Sequence, residues 1–506
     1  MCYAGLLPLN LEIFGHSMEY TLKEKAVSAT VWSGIDIFAK QGLQFGITLI
    51  LARLLTPADY GTVGLLAVFI GLAGVFIDSG FSSALIQHKD INDTDLSSVF
   101  YFNISMSLLV AAVLGLISSW IATFYKMPVL KPLTWLLAGN MVIGSFGSIQ
   151  SMLLTKALNF RRQCAISLVT VPISGAVAIL LASKGYGVWS LGIQTLIATT
   201  ISVFLLWAFS PWRPHLAFSL QSIHTLFRFS SFMLFSALLD TVFSRINTLF
   251  IGKFYSAADL GYYSRADGLK LLPGNLLSGI IGRVAFPIFA AAHEDKELLR
   301  AGLKKAINLT MMINIPIMLG MLATAKSLVQ VLFGAQWLPC VPYLQILCFG
   351  GMLWPLHVLN LSVLTAQGHS NLFFRVEMIK KIIGIFILAV ACSFGIIVIA
   401  WSTVLTGIIG FAINSHYSGR FLSYGTFRQT IDMLPFLAGG LLMATCVWAV
   451  TFIPLDSALL LLLLQLLTGV VVYGMICYFF RLQVFIESIQ LVAHRLSAPN
   501  LFGLKS

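Results

Sequence analysis

Apolar stretches of membrane-spanning length recur along the whole of this chain. The hydrocarbon core of a bilayer is about 30 Å thick, and an α-helix needs about 20 apolar residues to cross it. Of the 506 residues, 58% are hydrophobic and 10% are charged, whereas a soluble domain carries about 25% charged residues. This composition predicts an all-α, polytopic membrane protein. The fourteen predicted spans are 26–52, 61–86, 98–125, 133–155, 164–183, 187–209, 227–252, 262–291, 302–325, 340–366, 376–394, 396–418, 433–453 and 457–480. Counting 376–418 as a single span would give thirteen.

A short motif after the first span returns two hundred residues later, after the seventh. Thr56-Pro-Ala-Asp-Tyr-Gly61 corresponds to Ser256-Ala-Ala-Asp-Leu-Gly261, and Arg53 corresponds to Lys253. A repeat of this length, between multi-helix bundles, is typical of transporters whose two halves move around a central site. We therefore predict two six-helix lobes related by the repeat, followed by two appended helices.

The spans and the loops between them divide the chain into six predicted segments. Loop Lys and Arg residues are concentrated on one side of the membrane, which predicts that both termini are cytoplasmic. Residues 1–17 lack the basic start and apolar core of a signal peptide, and we expect Met18 to be the natural start. The segments are a cytoplasmic N-terminal segment (1–25), an N-lobe (26–209), a cytoplasmic linker (210–226), a C-lobe (227–418), the appended helices 13 and 14 (419–480) and a cytoplasmic tail (481–506).

Charge, cysteines and motifs exclude several classes of protein. The net charge is +12, but the cations are spread over short loops and form no basic amphipathic face for a nucleic acid. The seven cysteines are scattered without a CxxC pair, so we expect no metal site. Hydrolase, zinc-protease and P-loop motifs are missing, which argues against an enzyme or an ATP-driven pump. No cofactor is expected, and energy would come from a proton or sodium gradient or from the substrate gradient.

Charged residues inside the predicted spans are the candidate functional residues. A Lys, Arg or Asp at the bilayer centre costs about 2.5–3.5 kcal/mol on insertion scales, so such residues need a partner or an aqueous cavity. Cations in a partly dehydrated cavity suit a phosphate or pyrophosphate group. The candidates are Asp36, Lys40, Asp240, Arg245, Arg265, Asp267 and Lys270.

Ion pairing is the alternative explanation for these charges. Asp36 and Lys40 are one helical turn apart and can pair. Asp267 can pair with Arg265 or Lys270, and an Asp240–Arg245 pair would likewise only hold helices together. Asp240 and Arg245 are five residues apart, about 140° around the helix, so we expect each to contact another helix instead. The eighth span concentrates the charge, because its counterpart in the second span has Leu, Ala and Ile at the positions that correspond to Arg265, Asp267 and Lys270.

Four sequence segments resemble the Wzx-type polysaccharide repeat-unit flippases, the colanic-acid and O-antigen exporters of the multidrug/oligosaccharidyl-lipid/polysaccharide superfamily. They are Leu51-Ala-Arg-Leu-Leu-Thr-Pro-Ala-Asp-Tyr-Gly61, Asp78-Ser-Gly-Phe81, Ala84-Leu-Ile-Gln87 and Leu260-Gly-Tyr-Tyr-Ser-Arg265. The resemblance implies a bacterial inner-membrane protein that carries undecaprenyl-pyrophosphate-linked oligosaccharide to the periplasmic leaflet. It also implies two six-helix lobes around a central cavity, often cationic, that is open to each side in turn.

The resemblance also suggests partners and binding residues. The cavity cations of the family correspond here to Lys40, Arg245, Arg265 and Lys270. The partners would be the lipid-linked oligosaccharide, membrane lipids, and a polysaccharide polymerase and chain-length regulator. Candidate sugar contacts are Asn247, Asn275, Asn314, Tyr262 and Tyr263.

Three other functions would make different demands on the sequence. A flippase for the peptidoglycan precursor lipid II would share the two-lobed fold. A drug or cation antiporter of the same superfamily would need an acidic cavity, which the cations of the eighth span disfavour. A membrane-embedded glycan polymerase or ligase would need a large periplasmic loop with catalytic residues, and every outside loop here is short.

Overall fold

A computed structural model describes residues 22–87, 91–291, 295–368, 370–480, 485–486 and 490. The predicted N-terminal segment up to residue 21 and most of the predicted tail lie outside this range. Two short 3₁₀ helices, Ala335–Cys340 and Val450–Phe452, precede α12 and follow α15. The α-helices are α1 (Leu22–Leu54), α2 (Pro57–Asp78), α3 (Phe81–Gln87), α4 (Asp93–Phe124), α5 (Leu130–Ser145), α6 (Ser148–Lys156), α7 (Phe160–Ser183), α8 (Val188–Phe209), α9 (Leu220–Phe254), α10 (Ala257–Ala291), α11 (Lys296–Phe333), α12 (Val341–Ala366), α13 (Ser370–Ala391), α14 (Ile396–Leu422), α15 (Thr426–Ala449) and α16 (Ala458–Phe479).

The helices confirm the predicted all-α, multi-pass architecture. Each predicted span coincides with one long helix or with two consecutive helices, as for α2 with α3 and α5 with α6. Eleven helices of the described chain are long and apolar enough to cross a membrane, or twelve if α5 and α6, bent by 47°, form one span. The charged helices α10 and α13 are not among these twelve. The total of fourteen spans therefore remains a prediction.

The repeated motif forms the same local structure in both lobes. At the start of α2 the Asp59 backbone N–H donates to the Thr56 hydroxyl (3.3 Å), and the Thr56 N–H donates to the Asp59 carboxylate (2.9 Å). At the start of α10, the Asp259 N–H donates to the Ser256 hydroxyl (3.1 Å) and the Ser256 N–H donates to the Asp259 carboxylate (3.3 Å). Such capping boxes satisfy backbone N–H groups that the first helical turn leaves unpaired. The sequence repeat therefore encodes two equivalent helix starts.

The appended helices α15 and α16 extend the C-lobe. Both pack against α11, and a Cβ added at Gly440 of α15 would lie 3.0 Å from the Ile315 side chain of α11. The connection between the lobes packs on the N-lobe instead, because the backbone N–H groups of His215 and Ser219 donate to the hydroxyls of Ser97 and Ser98 on α4.

The lobes meet along α2 and α9, which run antiparallel. Their close approach is measured by the distance from a Cβ added at a glycine to the nearest atom of the facing residue. This distance is 3.0 Å from Gly80 to Ser230, 3.3 Å from Gly71 to Thr241 and 1.9 Å from Gly252 to Leu65. The repeat relates α9 to α1 and α2 to α10, yet within the described residues α1 and α10 make no contact of comparable extent. In that part of the chain the interface between the lobes is closed on the α2–α9 side and open on the α1–α10 side.

Candidate functional site

The first turns of α2 and α10 cross in direct backbone contact, which we call the crossing. A Cβ added at Gly61 would lie 1.7 Å from the carbonyl oxygen of Ala257, and one added at Gly261 would lie 1.9 Å from the carbonyl oxygen of Pro57. Under the repeat these two contacts are the same contact seen from each lobe. Only glycine allows two backbones to approach this closely, so the repeated motif also forms a contact between its own two copies.

Arg265 of α10 lies at the crossing, among aromatic rings from both lobes. Its guanidinium carbon is 3.8 Å from the ring centroid of Tyr60 on α2, and 5.7 Å from those of Phe333 and Trp337 in the C-lobe. Guanidinium groups within about 6 Å of aromatic ring centroids are attracted by the ring quadrupole. In this conformation Arg265 joins the lobes and makes no ion pair within the described residues.

Two further cations reach across the lobes next to the crossing. The Arg53 guanidinium donates to the carbonyl of Val331 near the C-terminus of α11. The Lys253 ammonium donates to the carbonyl of Phe124, the last residue of α4, at 3.0 Å. A helix C-terminus carries a partial negative charge that attracts cations. Because Arg53 and Lys253 correspond in the repeat, these contacts too are reciprocal.

Lys270 is held inside the C-lobe. It forms an ion pair with Asp267 at 2.6 Å, with 14% of the Lys270 side chain exposed against 35% for Asp267. Its Cγ lies 2.9 Å from the position of a Cβ added at Gly351, so the side chain runs along α12. The ion-pair alternative therefore describes the present position of Lys270 better than a cavity cation.

Asp240 pairs with a residue that sequence reasoning did not select. Its carboxylate binds Lys381 of α13, as expected for a residue that contacts another helix, and the alternative Asp240–Arg245 pair does not form. The two residues are five positions apart, about 140° around the helix, so they cannot share a face. Arg245 is exposed on α9 and makes no ion pair with any described residue. On α13, Lys380 and Glu377 form a further pair.

Asp36 and Lys40 do not form the ion pair that their spacing allows. The Asp36 carboxylate is half-buried, and its Oδ1 accepts no hydrogen bond in the described part of the chain. Lys40 is exposed at the edge of a cavity inside the N-lobe. Because a lone cation in hydrocarbon is costly, we expect Lys40 to face water in that cavity.

Three expected sugar contacts are occupied by protein hydrogen bonds. Asn314 is fully buried and donates to the carbonyls of Gly351 and Met352 at 3.1 and 3.0 Å. Asn247 donates to the hydroxyl of the buried Tyr263 and to Thr403, each at 3.3 Å. Asn275 is exposed, and Tyr262 is half-buried beside Trp337. Asn314 and Tyr263 are thus buried and hydrogen-bonded within the protein, whereas the sequence suggested that they contact sugars.

Comparison with known proteins identifies the family of this chain. Residues 50–342, more than half of the chain, match the profile of the family described as "Polysaccharide biosynthesis protein". The chain belongs to this family. The Wzx-type resemblance seen in the sequence is thereby confirmed.

Relatives in the family include proteins of several polysaccharide pathways. The chain is 26% identical to the teichuronic acid biosynthesis protein TuaB of Bacillus subtilis, over 78% of this chain and 82% of TuaB. It is 29% identical to the succinoglycan biosynthesis transport protein ExoT of Rhizobium meliloti (67% and 69%). It is 26% identical to the lipopolysaccharide biosynthesis protein WzxC of Escherichia coli (71% and 74%).

A solved structure shows the same fold. The lipid II flippase MurJ in an inward closed conformation superposes with a TM-score of 0.73 at 19% identity, over 89% of this chain and 99% of MurJ. At this identity the likeness concerns the fold alone. The family member described here is therefore a multi-pass membrane protein with the fold of a transporter.

Proposed function

We propose that this protein is a flippase that moves undecaprenyl-pyrophosphate-linked oligosaccharide repeat units across the bacterial inner membrane. The product would serve exopolysaccharide or lipopolysaccharide O-antigen synthesis. The observation that carries the proposal is the reciprocal contact of the two lobes at the crossing, in a family member related to polysaccharide export proteins. A transporter with alternating access needs such a separable closure at each end of its cavity.

The proposed orientation gives the closure a direction. With both termini in the cytoplasm, the Thr56 and Ser256 loops are periplasmic, and the crossing closes the periplasmic end. Opening that end would separate Arg265 from Tyr60 and expose its guanidinium to the cavity. The exposed Arg245 would bind the pyrophosphate from the cytoplasmic side, and the released Arg265 would bind it afterwards. The prenyl tail would remain in lipid and pass through the opening between α1 and α10.

The charge of the candidate residues favours an anionic substrate. Of the four cations among the seven candidate residues, Lys40, Arg245 and Arg265 make no ion pair with a described residue. Of the three carboxylates, Asp36 alone has no such partner among the described residues. A net positive cavity suits a pyrophosphate and disfavours the cationic drugs of an antiporter. Lipid II also carries a pyrophosphate, so a lipid II flippase remains the second candidate.

Deletion of the gene in its host tests the proposal. The deletion strain is expected to lose surface polysaccharide and to accumulate lipid-linked repeat units, and a plasmid copy is expected to restore both. Plasmid copies that carry Arg245→Ala or Arg265→Ala are expected not to restore surface polysaccharide. Arg420 is an exposed arginine at the end of α14, and a copy that carries Arg420→Ala should restore it.

Immunoblots of membranes establish equal amounts of each variant. Unchanged polysaccharide in the deletion strain would overturn the proposed function. Full restoration by both arginine variants would overturn the pyrophosphate role but not transport. Rescue of cells depleted of their lipid II flippase would favour the second candidate instead.

A further inference from the structure

The N-lobe contains a cavity of its own, separate from the crossing. Its volume is about 560 Å³, and its walls come from α1, α5, α6, α7 and α8. Binding sites for small molecules are typically about 300–1,000 Å³. The cavity therefore has room for a ligand of small-molecule size.

Unused hydrogen-bonding groups line this cavity. Thr170 is 7% exposed, and its hydroxyl makes no hydrogen bond although it is buried. The side chains of Gln44, Ser167, Gln194 and Thr199, which also line the cavity, make none with any described residue. In helical spans, Ser and Thr hydroxyls commonly bond to the carbonyl one turn earlier, as Thr200 does with Leu196. The hydroxyls of Ser148, Ser174 and Thr195 in the lining are used in this way, whereas the five groups named above are left free for an occupant.

The chemistry of the lining identifies the class of occupant. Hydroxyl and carboxamide groups both donate and accept hydrogen bonds, which matches the hydroxyls of a sugar. The lining also includes the apolar side chains of Val171, Ala198 and Val203, which suit the C–H faces of a sugar ring. Lys40 is the one charged residue among the described residues of the lining. Its ammonium favours a carboxylate, and the lining offers no carboxylate for a cation.

We propose that this cavity binds one sugar residue of the translocated glycan, and that Lys40 pairs with an acidic substituent on that sugar. The inference rests on the proposed flippase function and adds a division of roles to it. The C-lobe arginines bind the pyrophosphate, and the N-lobe cavity binds the sugar. Because the two groups lie on different lobes, one lipid-linked substrate contacts both lobes.

Saturation-transfer NMR on the full-length protein in lipid nanodiscs tests this assignment. The probes are methyl α-D-glucuronide and methyl α-D-glucoside, which share a ring and differ in having a carboxylate or a hydroxymethyl group. The wild type should bind both and bind the uronide more tightly. Lys40→Gln should weaken uronide binding about tenfold and leave glucoside binding unchanged, because only the charge-assisted bond is lost.

Neighbouring threonines of α8 provide the matched control. Thr199→Val removes a hydroxyl that lines the cavity and should weaken both sugars about fivefold, as expected for one hydrogen bond. Thr200→Val removes a hydroxyl outside the lining and should change neither. Thr170→Val, which conserves shape, should act like Thr199→Val.

The outcomes separate this inference from the flippase function. Wild-type protein that restores polysaccharide but binds neither sugar overturns the sugar site and leaves the flippase intact. Equal losses in Thr199→Val and Thr200→Val, or equal losses of both sugars in Lys40→Gln, also overturn it. A wild-type plasmid that fails to restore polysaccharide overturns the proposed function itself.

Discussion

The guanidinium carbon of Arg265 lies 3.8 Å from the ring centroid of Tyr60, although the two residues belong to different lobes. The guanidinium lies over the Tyr60 ring, so the ring face makes the contact. A cation–π contact contributes about 0.5–1 kcal/mol when exposed and about 2 kcal/mol or more when desolvated. This contact exists only while the lobes touch and therefore stabilises the closed crossing.

Replacing the Tyr60 ring should open the crossing. We expect Tyr60→Leu to shift the equilibrium toward the separated state about five- to thirtyfold, and Tyr60→Phe, which keeps the ring, to leave it nearly unchanged. The measurement is disulfide formation between Gly64→Cys and Ser264→Cys, because a Cβ on Gly64 lies 3.8 Å from the Ser264 hydroxyl oxygen. The seven native cysteines are first replaced by alanine in a variant that still restores polysaccharide. Equal disulfide yields for Leu and Phe would contradict the role of the ring.

A methyl group at Gly61 should also separate the two helices. Gly61→Ala places a carbon 1.7 Å from the Ala257 carbonyl oxygen, a backbone atom that cannot move aside alone. The same disulfide pair should then form in much lower yield. Gly74→Ala on the same helix is the control, because nothing lies within 4 Å of its added Cβ. A yield in Gly61→Ala that matches Gly74→Ala would show that the crossing tolerates a side chain.

The fold was largely predictable because long apolar stretches and short loops leave few alternatives to spanning helices. The repeat likewise predicted which residues correspond, such as Arg53 with Lys253. It did not predict that the two copies contact each other at Gly61 and Gly261. That contact depends on how the lobes pack, and a local sequence pattern does not specify lobe packing.

The partners of the interior charges were less predictable. Spacing along one helix correctly allowed the Asp267–Lys270 pair, but it also allowed an Asp36–Lys40 pair that does not form. The partner of Asp240 is Lys381, 141 residues away on another helix. Tyr60 was overlooked because an aromatic residue in a membrane helix has no distinctive pattern. Its correspondence to Leu260, next to the repeated glycines, was the available signal.

The two cations beside the crossing should act in the same direction. Arg53→Met and Lys253→Met each remove a cation from the C-terminus of a helix in the other lobe. Such interactions contribute about 0.3–1 kcal/mol, so each variant should lower the ratio of closed to separated protein about two- to fivefold. The double variant should multiply the two effects, as read from the Gly64–Ser264 disulfide yield. Lys326→Met, an exposed lysine of α11, should have no effect, and an effect equal to that of Lys253→Met would point to general charge loss.

The Asp240–Lys381 pair should stabilise the C-lobe through the lysine. Lys381 is 16% exposed and Asp240 is 69% exposed, so Asp240→Asn leaves a mostly buried ammonium without its carboxylate. We expect Asp240→Asn to lower the free energy of unfolding by about 1–3 kcal/mol, and with it the thermal unfolding midpoint of the detergent-solubilised protein. Asp240→Asn combined with Lys381→Met should recover most of the loss, because no charge is then left unpaired.

Lys304→Met is the control for this prediction. Lys304 pairs with Asp432 at 3.1 Å while half exposed, and an exposed pair contributes about 1 kcal/mol or less. If the losses measured for Asp240→Asn alone and Lys381→Met alone add up to the loss in the double variant, the pair does not couple α9 to α13.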